Sequence, residues 1–418
     1  MTGWDKEYKL YKHQYQELFD NVMQREQESN IEFLEKSLSK MTGRNVVACA
    51  NGTDALYFSL LSLGIGKGDE VLTTAFSWIS TASVITMAGA TPVFCDINIL
   101  DYHMSFDSIK RMYSDKVKAI IYPHLFGNMS DVSKIKEFCQ EKKIHFIEDA
   151  CQSIGSSYNG VVAGTIGDIS TFSFNANKVI SGISGGGAII TDGDTEIFKK
   201  LRKHGNHEIL GYNSKMLLFN AEVINFRLKK LDEYIKGRQS VAKQYDEQLR
   251  DFVTIQEVPD GLNHNYHKYV IRLQNKDVRD KVKEKLGANV HYPRPIPENK
   301  MYRNIEHRKD NLFITKVVCD TILTLPIHPY MTSKEVNRIT NAILIMLGQE
   351  DNRFVTNIKK VVGDDLFDTK LLLEETEDIY DYIIEKSYQT PGYIEEVEFK
   401  DKRKLKIAFN KFYYNNIK

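Results

Sequence analysis

The sequence carries no excess of either charge: 56 lysines and arginines are balanced by 56 aspartates and glutamates among 418 residues. A protein that gains affinity for nucleic acid by neutralising phosphates needs a basic excess, so that class is excluded as the main activity. Cysteine is scarce. Cys49, Cys95, Cys139, Cys151 and Cys319 are far apart, odd in number and set among apolar neighbours, which suits neither a disulfide framework nor a thiolate metal cluster. The 11 histidines show no HExxH spacing, and although His264, His267 and His291 could meet in space, nothing in the sequence requires it; no metal site is expected. A GxGxxG opening followed about 20 residues later by an acid is also missing, which argues against a nicotinamide dehydrogenase. No apolar run approaches the ~18 residues of a membrane span, and the opening MTGWDKEYKL has no signal-peptide core. These absences lead us to expect a soluble cytoplasmic protein with reduced thiols and neither nucleic-acid nor membrane partners.

What is present is an ordinary globular balance, 42% hydrophobic and 27% charged, with enough chain for one large core and a smaller lobe. Residues 11–40 repeat Phe19, Val22, Met23, Ile31, Phe33, Leu34 and Leu38 at helical intervals, and predict two helices. From 46 to 148 strand and helix signals alternate: strands at 46–50, 70–73, 91–96, 119–122 and 144–148, with helices after the NGT turn and at 79–87, 106–113 and 129–140. That cadence predicts an α/β fold with a mostly parallel central sheet flanked by helices. Short strands at 169–174 and 187–191 flank the glycine run SGISGGG. A long amphipathic helical region covers 221–249, and the polar stretch 257–265 marks a boundary. Beyond it, a strand at 267–273 and helices near 277–286 and 333–347 form a small α+β lobe. We therefore expect a large domain over 1–255, a small domain over 256–349 and an extension over 350–418 that is mixed in charge, rich in Ile, Leu and Tyr, and strand-like at its end.

The densest chemical signal is IEDACQSIGSSYNG (147–160) with GDISTFSFNANKVISGISGGGAIITD (167–192). Asp149 follows one predicted strand and Ser173 and Lys178 follow another, at the carboxyl edge where open α/β sheets bind ligands. A lysine, a carboxylate and a hydroxyl so placed are the parts needed to hold pyridoxal phosphate: the amine for an imine, the carboxylate to keep the pyridine nitrogen protonated. Spacing alone also admits a surface lysine and an aspartate that merely caps a helix.

Over residues 11–347 the ordered segments NGTDAL, SWISTAS, HLFGN, EDACQ, SFNANK, RKHG, GYNSKM, NYHKYVIRL, HYPRP and LPIHPYMTSKEV resemble the DegT/DnrJ/EryC1/StrS sugar aminotransferases, enzymes of pyridoxal phosphate fold type I. The resemblance implies Lys178 as the Schiff-base lysine and proton shuttle, and Asp149 as the partner of the pyridine nitrogen. Gln152 would pack beside the ring, Trp78 would stack on it, and Gly52, Thr53 and Ser173 would receive the phosphate at a helix N-terminus. Asn213 would reach that phosphate from the neighbouring subunit of a homodimer with composite sites. His124, His291, Tyr292 and Arg294 would face substrate. Asp54 is given no catalytic role. The resemblance further implies transfer of an amino group from L-glutamate, or glutamine, to a nucleotide-linked keto sugar, yielding an amino sugar for surface polysaccharide or glycoconjugate synthesis.

Some positions depart from the family pattern. Gly185 stands where Glu or Asp is frequent, Lys215 where Arg is, and Asn220 where Gln is; QREQESN replaces a Ser-Gly-aromatic loop. They leave the cofactor set intact and bear on the substrate. A small phosphorylated or non-nucleotide ketone, or a non-catalytic relative, are the alternatives; retention of Lys178, Asp149 and Ser173 argues against the latter, and retention of Lys178 argues against the sugar dehydration of relatives that carry histidine there.

Overall fold

The computed structural model describes residues 3–24, 29–348, 394–398 and 404–408. They fall into two compact units, Met1–Val336 and Asn337–Lys418. The first opens with helices α1 (Trp4–Leu10), α2 (Lys12–Gln24) and α3 (Ser29–Thr42). Strands β1 (Asn45–Cys49), β2 (Glu70–Thr74), β3 (Thr91–Cys95), β4 (Val117–Pro123) and β5 (His145–Asp149) follow, alternating with α4 (Gly52–Ser62), α5 (Ser80–Met87), α6 (Phe106–Met112) and α7 (Ser133–Lys142). Two short strands, β6 (Ser157–Tyr158) and β7 (Val161–Val162), precede β8 (Ile169–Ser173) and β9 (Gly187–Thr191).

Strands β10 (Thr254–Ile255), β11 (Leu262–Asn263), β12 (Tyr269–Arg272) and β13 (Arg308–Lys309) follow later in the chain, and eight of the strands build one sheet ordered β1-β9-β8-β5-β4-β2-β3-β13. Only β9 is reversed, pairing antiparallel with both β1 and β8. The strands are apolar on both faces, as a sheet covered on two sides demands. Val47, Val71, Ile121, Ile147 and Ile189 pack under α4 and α5. On the other face Val46, Ala48, Phe172 and Ile190 meet Leu34 and Leu38 of α3, while Leu72, Ile120, Tyr122 and Phe146 pack with Phe138 of α7. The α/β class and the mostly parallel sheet are as expected.

Helices α8 (Glu196–Leu201), α9 (Leu218–Leu228) and α10 (Leu231–Leu249) lead to the small lobe, where β12 lies between β10 and β14 (Ile322–Leu325) in an antiparallel sheet carrying α11 (Lys276–Leu286) and α12 (Phe313–Thr321). The last described elements are α13 (Ser333–Met346) and an antiparallel pair, β15 (Ile394–Glu398) and β16 (Lys404–Ala408), which fall in the stretch expected to be strand-like. The rest of 350–418, and residues 25–28 of QREQESN, lie outside the described residues. Among those described, no helix is long and apolar enough to cross a membrane.

Three elements differ from expectation. The single region over 221–249 is two helices, α9 and α10, broken at Lys229 and Lys230; neither residue is a helix breaker, so apolar periodicity reads straight through. Helix α1 was not anticipated, because the one buried side chain of its WDKEYKL sequence is charged: Glu7. The two-residue strands β6, β7 and β11 form a separate small sheet too short for any period to register.

The small lobe is tied to the large sheet by a buried carboxylate. Asp96, just past β3, accepts from the amides of Ile97 (2.9 Å), Ile314 (3.0 Å) and Thr315 (2.8 Å), and from Thr315 Oγ1 (2.6 Å). It therefore serves the free amides at the start of α12. Asp96→Ala strands those donors and is expected to cost about 2–4 kcal/mol, read as a lower denaturant midpoint.

Candidate active site

Every cofactor-facing position expected from the sequence, except Asn213 and Trp78, lies at the carboxyl edge of β1, β5 and β8 or in the turn just beyond. After β1 the chain turns at Asn51, whose side-chain oxygen accepts the Asp54 amide at 2.8 Å and caps α4. The Asp54 carboxylate accepts from Asn51 Nδ2 (3.1 Å) and Ser214 Oγ (2.6 Å), so its role is to shape the turn. Gly52 faces Ser173 and Cys151: a Cβ there would stand 2.8 Å from Ser173 Cβ and 3.1 Å from Cys151 Sγ. The missing side chain leaves a cradle at the N-terminus of an 11-residue helix, where amides are unpaired and an anion is favoured. Thr53 Oγ1 donates to Ser80 at 2.9 Å.

Asp149, at the last position of β5, is buried and oriented. Its Oδ2 accepts Thr81 Oγ1 at 2.9 Å and its Oδ1 the Cys151 amide at 3.2 Å; Thr81 is in turn 2.9 Å from Ser77 Oγ. Lys178 stands close enough to Asp149 and Cys151 to feel both electrostatically. Burial pushes its ammonium below the usual lysine range, while Cys151 and Asp149 pull it back. Among the described residues its amine makes no hydrogen bond. Burial and the Asp149 charge raise the Cys151 thiol, so it stays protonated. A poised amine, an oriented carboxylate and an anion cradle with a hydroxyl beside it fit pyridoxal phosphate in charge and chemistry.

Gln152 accepts the Phe126 amide at 2.9 Å and donates to the Tyr292 hydroxyl at 3.3 Å. Tyr292 lies over Phe126, with ring centres 6.3 Å apart, and edge-on to Phe76. His291 Nδ1 is 2.9 Å from Thr324 Oγ1; burial, with Lys268 and Lys178 nearby, lowers its pKa to about 4, so it is neutral at physiological pH. Trp78 is 59% exposed, an indole available for stacking, and Arg294 and Asn213 are exposed too.

One position is corrected. His124 does not face a substrate pocket. It is fully buried and its Nε2 lies 3.1 Å from Glu148 Oε1. Successive strand residues point to opposite faces, so Glu148, and His124 with it, lie behind the sheet from Asp149.

The sequence also concealed neighbours that the fold supplies. Thr81 sat within SWISTAS without a role. Asn220 holds the glycine run, its Oδ1 accepting the amides of Ile183 (3.1 Å) and Ser184 (3.2 Å) and its Nδ2 donating to Ser184 Oγ (3.0 Å). Gly185 has φ +140°, a conformation that L side chains rarely adopt. Buried His267, whose Nδ1 has no hydrogen-bond partner among the described residues, and Lys268 both feel Lys178; no pattern of spacing could have linked positions so far apart.

The family model described as the DegT/DnrJ/EryC1/StrS aminotransferase family matches residues 11–344. A pleiotropic regulatory protein of Geobacillus stearothermophilus is 32% identical over 71% of this chain and 83% of its own. The UDP-N-acetyl-3-dehydro-alpha-D-glucosamine 3-aminotransferase of Acidithiobacillus ferrooxidans is 34% identical over 74% and 86%. A family aminotransferase from Brucella abortus superposes with a TM-score of 0.77 at 28% identity, covering 83% of this chain and 99% of that one. Further relatives at 30–31% identity are named for dTDP-, GDP- and UDP-linked sugars. The chain belongs to the DegT/DnrJ/EryC1/StrS aminotransferase family and is a pyridoxal-phosphate-dependent enzyme of fold type I.

Lys268 provides a test of the site's electrostatics. Burial, then Lys178 and Arg238, lower its pKa to about 8. Below pH 8 the folded state therefore bears the cost of a buried charge, and this cost is relieved as pH rises from about 8 toward the unfolded value of about 10.4. Lys268→Met is expected to raise stability at pH 7 by about 2–3 kcal/mol, a gain that denaturant titrations should find vanishing by about pH 10.

Proposed function

We propose that this aminotransferase moves an amino group from L-glutamate to the keto carbon of a nucleotide-linked sugar, giving a nucleotide amino sugar for surface polysaccharide or glycoconjugate synthesis. The observation that carries this reading is the Lys178 amine, which makes no hydrogen bond among the described residues, beside the oriented carboxylate of Asp149 and the Gly52 cradle. The sugar part is supported by the relatives named for UDP-, dTDP- and GDP-linked sugars.

When bound, pyridoxal phosphate supplies an electron sink for the carbon that loses its proton. Lys178 would form the covalent link and carry the proton away from the donor's α-carbon, for which its lowered ammonium pKa suits it. Asp149, held by Thr81, would keep a positive ring nitrogen opposite its charge. Gly52 and Thr53 would offer α4 amides to the phosphate, with Ser173 beside them, and Gln152 and Trp78 would fix the ring plane. Neutral His291, with Tyr292 and Arg294, would face substrate; Arg294 is suited to a carboxylate or diphosphate, since its guanidinium can donate in pairs. With no net charge on the chain, such local cations must do this.

We place Asn213 at the site of a second copy. The arm around it exposes Ile209, Leu210, Tyr212 and Leu217 (Leu210 is 93% exposed), an apolar surface that a homodimer would cover. Leu210→Asp is expected to yield a folded monomer in sedimentation velocity with activity reduced at least tenfold.

Two half-reactions test the chemistry. Wild-type protein loaded with cofactor should release 2-oxoglutarate from glutamate in one equivalent, then regain its visible absorbance on addition of a nucleotide keto sugar. Lys178→Ala should lose both signals. If a small phosphorylated ketone restores absorbance and no nucleotide keto sugar does, the sugar assignment is wrong.

A further inference from the structure

Helix α1 lies before residue 11, where the family match begins, yet it reaches the loop that carries Lys178 from two sides. Trp4 Nε1 donates to the carbonyl of Ala176 at 3.0 Å, two residues before the lysine. Glu7, 1% exposed, accepts from Tyr15 Oη (2.5 Å), Tyr234 Oη (2.8 Å) and an Arg227 guanidinium nitrogen (3.0 Å). The other terminal nitrogen of Arg227 donates to Ser181 Oγ, three residues after the lysine. Arg227 also lies 4.2 Å from the centre of the Trp4 ring, so the two attachments share one cation. The loop closes on itself between them, with Lys178 N bonded to Asn175 O and Gly182 N to Phe174 O.

A buried carboxylate is stable only when paired and hydrogen-bonded, and Glu7 has donors on both oxygens. Burial, then the Glu7 charge beside them, push the phenols of Tyr15 and Tyr234 far above the usual range, so both remain donors. The outer face of α1 is pinned as well, Lys6 Nζ reaching Glu335 at 2.6 Å and the Tyr330 carbonyl at 3.2 Å.

We propose that α1 is a positioning element for Lys178: Trp4 and the Glu7–Arg227–Ser181 chain hold the lysine loop from both ends. The inference rests on Lys178 being the reacting amine. In this role Trp4, Glu7 and Arg227 act through the backbone of 176–181.

The test compares Trp4→Phe, which keeps a ring over Arg227 and removes only the donor to Ala176, with Glu7→Gln, which leaves Arg227 without its counter-charge. In cofactor-free protein, hydrogen exchange of the 176–182 amides should accelerate about fivefold in Trp4→Phe and more in Glu7→Gln, the scale of one lost hydrogen bond. In loaded enzyme, the limiting rate of the glutamate half-reaction should fall about fivefold in Trp4→Phe with the glutamate KM unchanged, and pyridoxal phosphate should dissociate more readily in equilibrium dialysis. Lower melting temperatures with unchanged loop exchange and an unchanged half-reaction rate would reduce α1 to a stabilising helix and overturn the proposal. A wild-type protein that binds no cofactor would instead sink the functional reading and leave the exchange result standing.

Discussion

Glu148 is a charged side chain shut away from water one residue before Asp149, and the site depends on it. Its carboxylate accepts from His124 Nε2, the amides of Gly164 (2.7 Å), Ile166 (2.9 Å) and Gly167 (3.2 Å), and Ser170 Oγ (2.7 Å). Burial raises its pKa, but His124 and the other donors more than offset this and leave it at about 2. The knot joins the end of β4, the end of β5, the loop before β8 and the first turn of β8 itself. Asp149 projects its side chain from the opposite face of the same strand, and the network reaches its backbone, whose carbonyl accepts the His124 amide at 3.1 Å. His124, for all its place beside the reactive strand ends, belongs to this network.

The reactive groups thus divide by how they are held. Asp149 and Ser173 sit at the ends of strands whose ladders and cores fix them, and Gly52 opens the helix that follows the turn after β1. Lys178 sits on a loop, and its constraints come from elsewhere: Asn220 of α9 on the glycine run, Arg227 of the same helix on Ser181, and Trp4 on Ala176. Sites placed on regular elements are the more precisely held, and here a helix face serves to give a loop comparable definition.

Much of this was legible in the sequence for identifiable reasons. Parallel strands buried on both faces read as apolar runs, and the NGT turn, the EDACQ strand end and the SFNANK loop carry residue types tied to one chemistry. What escaped was whatever depends on tertiary pairing. Helix α1 buries a charge, so hydrophobic periodicity skips it. Thr81 and Asp149 meet across 68 residues, and a threonine in an apolar helix has no mark of its own. His124 was misread because a histidine after a strand is equally suited to solvent and to a buried carboxylate; only the register that puts Glu148 beside it decides between them.

The reversed strand β9 has a geometric consequence. Cys49 of β1 and Ser173 of β8 are both paired with one residue, Gly187, and a side chain there would run into the Asn51 backbone at 2.3 Å. The turn that would cradle a phosphate and the strand that leads to the lysine are therefore levelled against the same α-carbon, two strand spacings apart, or about 9–10 Å. Gly187 works as the zero mark of a gauge. The alignment of the two halves is set locally at that mark, so the far ends of β1 and β8 are free to change sequence, length or neighbours without moving one half of the site past the other.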